Sequence, residues 1–169
     1  MKITDVECLV LDRDFPFVKI YTDEGITGIG ECFRRMPWIT KMLVEEVLKP
    51  ALVGKDPTDT AVRFRDMVRA GSATEMGGAI YCAISGLDIA MWDIKGKALN
   101  VPIWKLLGGK MRDRIPVYAS SMRRDLTPLE EGRRAASLVE QGYTTYKLHS
   151  AVPGAIDDPS DETIATVTE

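Results

Sequence analysis

The 169-residue sequence is 45% apolar and 28% charged, with 22 Lys plus Arg against 25 Asp plus Glu and a formal charge of -3. That composition fits an ordinary globular chain with room for one good core and the start of a second, and it excludes a disordered chain. The charges are mixed along the sequence, so neither a nucleic-acid footprint nor a polybasic membrane patch is implied, and no apolar run approaches the roughly 18 residues that span a bilayer. Cys8, Cys32 and Cys82 are odd in number, lack CxxC spacing and sit in apolar surroundings, which points to a reducing compartment, so a cytoplasmic location is expected. The opening MKITDVECLV carries acids too early for a secretory leader.

The first thirty residues read as an antiparallel meander. Ile3 to Leu11 is β-rich, Asp12 to Asp14 with Pro16 interrupts it, Phe17 to Thr22 resumes, Asp23-Glu24-Gly25 turns, and Ile26 to Glu31 returns. From Pro37 the period changes to helical, through Ile39, Met42, Leu43, Val47 and Leu48, with Pro50 near the end. A second amphipathic helix is predicted over Thr58 to Ala70, capped by Thr58 or Asp59 and burying Ala61, Phe64, Met67 and Val68. The longest helix follows Gly77-Gly78, with Ile80, Ala83, Ile84, Leu87, Ala90, Met91, Ile94 and Ala98 as its apolar stripe and Ala79, Ala83, Gly86 and Ala90 small enough for close packing. Asp88 and Asp93 suggest a carboxylate pair, but five residues on a helix separate them by about 140°, and Asp93 is better placed to pair with Lys97 at i+4.

Beyond Val101-Pro102, a short turn over Ile103 to Leu107 and Gly108-Gly109, the pattern becomes that of a βαβ unit. Ile115 to Ala119 is a short strand, Thr127-Pro128-Leu129-Glu130 is a capping box, Glu130 to Gln141 is helical, Gly142 caps it, and Thr144 to Leu148 is a second strand. Such a crossover predicts two parallel strands joined right-handedly, with ligand-facing groups at their carboxyl ends. Lys147 and His149, the only histidine, stand at that end of the second strand and share one face. From the residues alone, a solvated strand-end lysine is the simpler account. A further helix is expected from Ser160, capped by Asp158.

The stretch AISGLDIAMWDIKGKALNVPIWKLLGG, residues 83 to 109, resembles the signature segment of the mandelate racemase and muconate lactonizing enzyme family of the enolase superfamily. It is similar in its small residues, Asp88, Ala90, Asp93, Gly96, Lys97, Pro102 and the terminal Leu-Leu-Gly, with Met91 where leucine or alanine is more usual. YTDEGITGIGE, residues 21 to 31, resembles the family's third-strand segment, and GYTTYK, residues 142 to 147, the approach to its Lys-x-Lys motif.

The resemblance implies an α+β capping domain, a three-stranded antiparallel meander plus a helical bundle, over residues 1 to 110. Residues 111 to 169 would then be the first two βα units of a (β/α)7β TIM-like barrel. It also implies a Mg²⁺-dependent enzyme that removes the proton α to a carboxylate, with the metal ligands expected beyond residue 169 and none within this chain. On that basis the natural polypeptide is expected to continue past Glu169, because a full barrel takes about 250 residues, and residues 1–169 alone are expected not to turn over substrate. By the family pattern Lys147 and His149 are the catalytic candidates, with His149 in place of the motif's second lysine. A neutral imidazole there could accept a proton or hydrogen-bond the substrate. Losing the second lysine weakens a two-base racemase and favours an acid-sugar dehydratase. The alternatives are a racemase, epimerase or cycloisomerase with His149 as base, or a non-catalytic fragment. Family loops that close the barrel mouth match Asp12 to Phe17 and Cys32 to Trp38, making Phe15, Arg34 and Trp38 substrate-binding candidates, against the alternative of solvated arginines and packed aromatics. The expected partner is a small-molecule carboxylate, a sugar acid, with no nucleic acid and no membrane, in a homo-oligomer.

Overall fold

Alternating burial, strict only in the central strand, builds the first sheet. The computed structural model describes residues 1–72, 77–121, 123 and 125–148. In it, β1 (Ile3–Leu11), β2 (Phe15–Thr22) and β3 (Thr27–Glu31) form an antiparallel meander in the order β1-β2-β3, with Val6 opposite Ile20 and Cys8 opposite Val18. The predicted start of β2 at Phe17 is two residues late. Pro16 belongs to the strand, where its carbonyl accepts from the Cys32 N–H at 2.8 Å. Proline lacks a ladder donor but can sit near the start of a strand, so it marks the end of the turn rather than a break.

Helical structure runs from α1 (Pro37–Met42) through a π-helical segment, Leu43–Leu48, into α2 (Lys49–Leu52). In the π segment the Lys49 N–H bonds to the Val44 carbonyl, five residues back. This wider turn carries Leu43 and Leu48 into the same core, where an α-helix would have set them about 140° apart.

Helix α3 (Thr60–Gly71) buries a different face from the predicted one. Ala61 and Phe64 are exposed, and the inward stripe is Thr60, Arg63, Met67 and Gly71, with Val68 at its margin. Arg63 can occupy that stripe because its guanidinium pairs with Asp66 one turn on, at 3.2 Å, while its stem covers apolar surface. Asp59 stands at the N-cap without a side-chain bond to the helix, and Thr58 is turned back onto Asp56, with N–H and hydroxyl donated at 2.9 and 2.7 Å.

Helix α4 (Gly78–Leu99) buries Ile80, Ala83, Ile84, Leu87, Ala90, Met91 and Ile94 as read from the sequence; Ala98 is exposed. Its small residues admit β3 to within backbone distance. A Cβ on Gly30 would lie 2.0 Å from the Gly86 carbonyl oxygen, one on Gly28 2.1 Å from that of Ala90, and one on Gly86 2.2 Å from the Cys32 sulfur. A short α5 (Ile103–Leu106) follows.

The chain divides into two compact units, Met1–Met111 and Arg112–Glu169. In the second, β4 (Ala119–Ser120) and β5 (Tyr146–Lys147) pair in parallel, Ala119 with Tyr146 and Ser120 with Lys147, joined through α6 (Pro128–Glu140). Both strands are shorter than predicted: Ile115, Val117 and Tyr118, taken for strand residues, precede β4 and are exposed. The capping box forms as read, with the Thr127 hydroxyl accepting from the Glu130 N–H and the Glu130 carboxylate accepting from the Thr127 N–H. Pro128 takes the first helical position, as the capping box predicts, so the regular helix begins there rather than at Glu130. Gly142 follows at φ +93, and its N–H closes on the Val139 carbonyl. The segment at Asp158 and Ser160 lies outside the described residues.

Gly30→Ala should destabilise the protein by about 3 kcal/mol in urea unfolding, because a Cβ has no room against helix backbone. Gly132→Ala, with nothing within 4 Å of its added Cβ, should stabilise α6 by about 0.5 to 1 kcal/mol. Equal effects from the two would contradict the close approach.

Candidate functional site

Within the first unit, the two loops singled out by sequence are neighbours. Asp12 and Arg13 take positive φ, +49 and +63, and so turn the chain tightly, with the Asp14 N–H on the Leu11 carbonyl at 3.0 Å. This brings Asp14 to Arg34 of the β3–α1 connection, an exposed ion pair at 3.8 Å. Phe15 is half-buried at the start of β2, and Trp38 in the first turn of α1 is 60% exposed. Phe33, Met36, Ile39 and Met42, close to Arg34 and Trp38 in sequence, are exposed as well. Asp14 was missed by sequence reading, although its place in the same turn as Phe15 was a usable signal.

The signature carboxylates divide by role. Asp93 takes the Lys97 ammonium at 2.6 Å, as the i+4 spacing predicts, and also accepts from the Ile29 N–H at 3.0 Å. Lys97 in turn donates to the Thr27 carbonyl at 2.7 Å. The pair therefore fastens α4 to the open side of β3. Asp88 is half-buried, and burial raises its carboxyl above the ordinary range, opposed by a hydrogen bond from Trp92.

In the second unit Lys147 ends β5 with its side chain exposed. Successive residues project to opposite faces of a strand, and Tyr146 points at α6, where its hydroxyl donates to Glu131. Lys147 consequently lies on the face away from α6, together with Ser120, its partner on β4. Ser121, fully buried, donates its N–H to the Lys147 carbonyl at 2.9 Å and its hydroxyl to Glu131 at 3.3 Å. Neither Ser121 nor Glu131 was singled out from the sequence. Glu131 follows the capping glutamate and reads as a second first-turn acid. His149 lies outside the described residues. Arg34, Phe15 and Trp38 belong to the first unit and Lys147 to the second.

Among the described residues no three His, Cys, Asp or Glu side chains gather as metal donors, so these residues do not fit a metal ion by themselves and no step below passes through one. Cys8 and Cys32 make poor nucleophiles. Burial pushes the Cys8 thiol up to about 11 and the Cys32 thiol up to about 12. No helix among the described residues is long and apolar enough to cross a membrane.

The profile of the mandelate racemase / muconate lactonizing enzyme N-terminal domain matches residues 9–108. The chain belongs to this family. A D-galactonate dehydratase from Klebsiella pneumoniae is 38% identical over 175 residues, covering 100% of this chain and 45% of the relative. Among solved structures, a protein from Mesorhizobium loti superposes with a TM-score of 0.88 at 31% identity, covering 98% of this chain and 47% of that one. A mandelate racemase/muconate lactonizing protein from Paracoccus denitrificans, solved with magnesium, has a TM-score of 0.77 at 31% identity, covering 86% and 41%. The first unit's meander and helices are thus an enolase-superfamily capping domain. The chain spans about two-fifths of the length of the curated relatives it matches.

Asp93→Ala should cost about 1 to 2 kcal/mol in urea unfolding, because it strands the Ile29 N–H and leaves the Lys97 ammonium only the Thr27 carbonyl; Asp93→Asn, which keeps an acceptor, should cost less. Thiol labelling of the folded chain at pH 8 should reach Cys82, which is partly exposed, well before Cys8 and Cys32. Labelling of all three at one rate would contradict the burial assigned to that pair.

Proposed function

We propose that this chain supplies the capping domain and the first two barrel strands of a Mg²⁺-dependent acid-sugar dehydratase. The observation that carries the reading is Lys147. It ends the second of two parallel strands, the ligand-facing end in this architecture, and projects away from the crossover helix. Residues 111–169 are the opening βα units of the barrel in this reading, and the metal ligands come from beyond residue 169. The D-galactonate dehydratase relative supports a sugar acid as substrate.

In this reading Lys147 and His149 stand at the α-carbon of the bound carboxylate. An ammonium there lowers the cost of negative charge as the α-proton leaves, and a neutral amine or imidazole can take that proton. The hydroxyl on the next carbon departs as water, giving a 2-keto-3-deoxy acid after ketonisation. Arg34 is suited to a carboxylate or polyol, and Phe15 and Trp38 to excluding water once the loops close. The two buried, weakly acidic thiols suit a reducing cytoplasm, and a homo-oligomer is the expected assembly.

The test is an enzyme in which residues 1–169 run into a complete barrel, incubated with Mg²⁺ and D-galactonate, D-mannonate or D-xylonate in D₂O and followed by proton NMR. A 2-keto-3-deoxy acid is expected from at least one substrate, and Lys147→Ala should lower kcat by about 10²-fold or more. Exchange of the α-hydrogen without loss of water would replace the dehydratase with a racemase or epimerase. Unchanged turnover in Lys147→Ala would remove Lys147 from the chemistry.

A further inference from the structure

The Glu131 carboxylate stands between two strands. One of its oxygens takes the hydroxyl of Tyr146 on β5, and the other takes the hydroxyl of Ser121, at 3.3 Å, immediately after β4. Ser121 has no exposed surface and is fixed at three points. Its hydroxyl donates to Glu131 and accepts from the Arg123 N–H at 3.2 Å, and its own N–H is bonded to the Lys147 carbonyl at 2.9 Å. Every tie in this set is either on Lys147's own backbone, on its neighbour Tyr146, or one bond removed. The ladder is only two residues long on each strand, so it offers little register control of its own. The carboxylate is anchored in turn. Glu131 sits in the first turn of α6, whose start is set by the Thr127–Glu130 capping box and by Pro128, and a negative charge is favoured there.

We infer that Glu131 is a positioning residue for Lys147, a bridge from the first turn of α6 to the ends of both strands that sets the register and direction in which Lys147 leaves the sheet. The inference rests on the proposed role of Lys147 at the reacting carbon. An alternating strand converts a hold on Tyr146 from behind into an aim for Lys147 in front. Loss of the bridge would leave Lys147 present and charged but free to shift along β4. Misplacement on that scale reduces the chemical step more than substrate binding.

Two measurements separate positioning from folding. In the 169-residue chain, amide hydrogen exchange read by NMR should speed up by about tenfold at the Ser121 N–H in Glu131→Ala, with the Gln141 N–H at the far end of α6 unchanged. Glu131→Gln, whose amide can accept from Tyr146 and donate to Ser121, should restore protection to within about threefold. In the enzyme with the complete barrel, Glu131→Ala should lower kcat by about tenfold to a hundredfold with little change in KM, and Glu131→Gln should recover most of it. Unchanged exchange at Ser121 overturns the inference, as does an equal acceleration at Ser121 and Gln141, which would mark Glu131 as merely part of the unit's stability. If Lys147→Ala turns over normally, the role of Lys147 fails instead, and the exchange data alone decide whether Glu131 sets the strand register.

Discussion

The contact on which the first unit depends is backbone against backbone, where Gly28 and Gly30 of β3 lie on the Ala90 and Gly86 carbonyls of α4, and the bare Gly86 also makes room for the Cys32 sulfur. Such contact removes the usual interdigitating layer and makes the interface intolerant of even one methyl group. It also leaves peptide groups of β3 close to a helix that has no backbone donors or acceptors to spare. The Asp93–Lys97 pair resolves this by offering an acceptor to Ile29 and a donor to Thr27 from successive turns. The small residues and the charged pair of the signature segment are two halves of one device. Neither half touches a reacting group within the first unit.

The second unit is organised by a helix start. A capping box, a first-turn proline and a second first-turn acid place α6, and from that point Glu131 reaches the hydroxyls that follow β4 and precede Lys147. A scaffold held this way can present a cation from a very short strand. The side-chain hydrogen bonds to Glu131 run on the face toward α6, while Lys147 projects from the opposite face.

Much of this was legible because the signals are local. The bounds of β1, the stripe of α4 from Ile80 to Ile94, the Asp93–Lys97 pair and the capping box each follow from spacing within one element. The misreadings share another cause. On α3, hydropathy assigns Phe64 inward and Arg63 outward, but the packing surface selects the stripe through Thr60, Met67 and Gly71, and Asp66 makes Arg63 admissible there. The π-helical turn escapes because Leu43 and Leu48 disagree with an α period only when both are known to be buried. The Asp14–Arg34 ion pair and the Glu131 bridge join segments that no periodicity relates. Residues at the candidate site are read by kind from sequence, whereas their partners are set by the fold.

A three-stranded sheet has two outer strands, and each offers unpaired peptide groups on which a further strand could grow. Here several of those groups are already engaged. Along β1, Ile3 exchanges hydrogen bonds with the backbone of Gly54 and Lys55, and the Cys8 carbonyl and N–H are met by Lys41 and Glu45. Along β3, Lys97 and Asp93 occupy the groups of Thr27 and Ile29. The helices thus act as stops at both ends of the ladder, closing these positions to the templated growth by which exposed strands recruit one another.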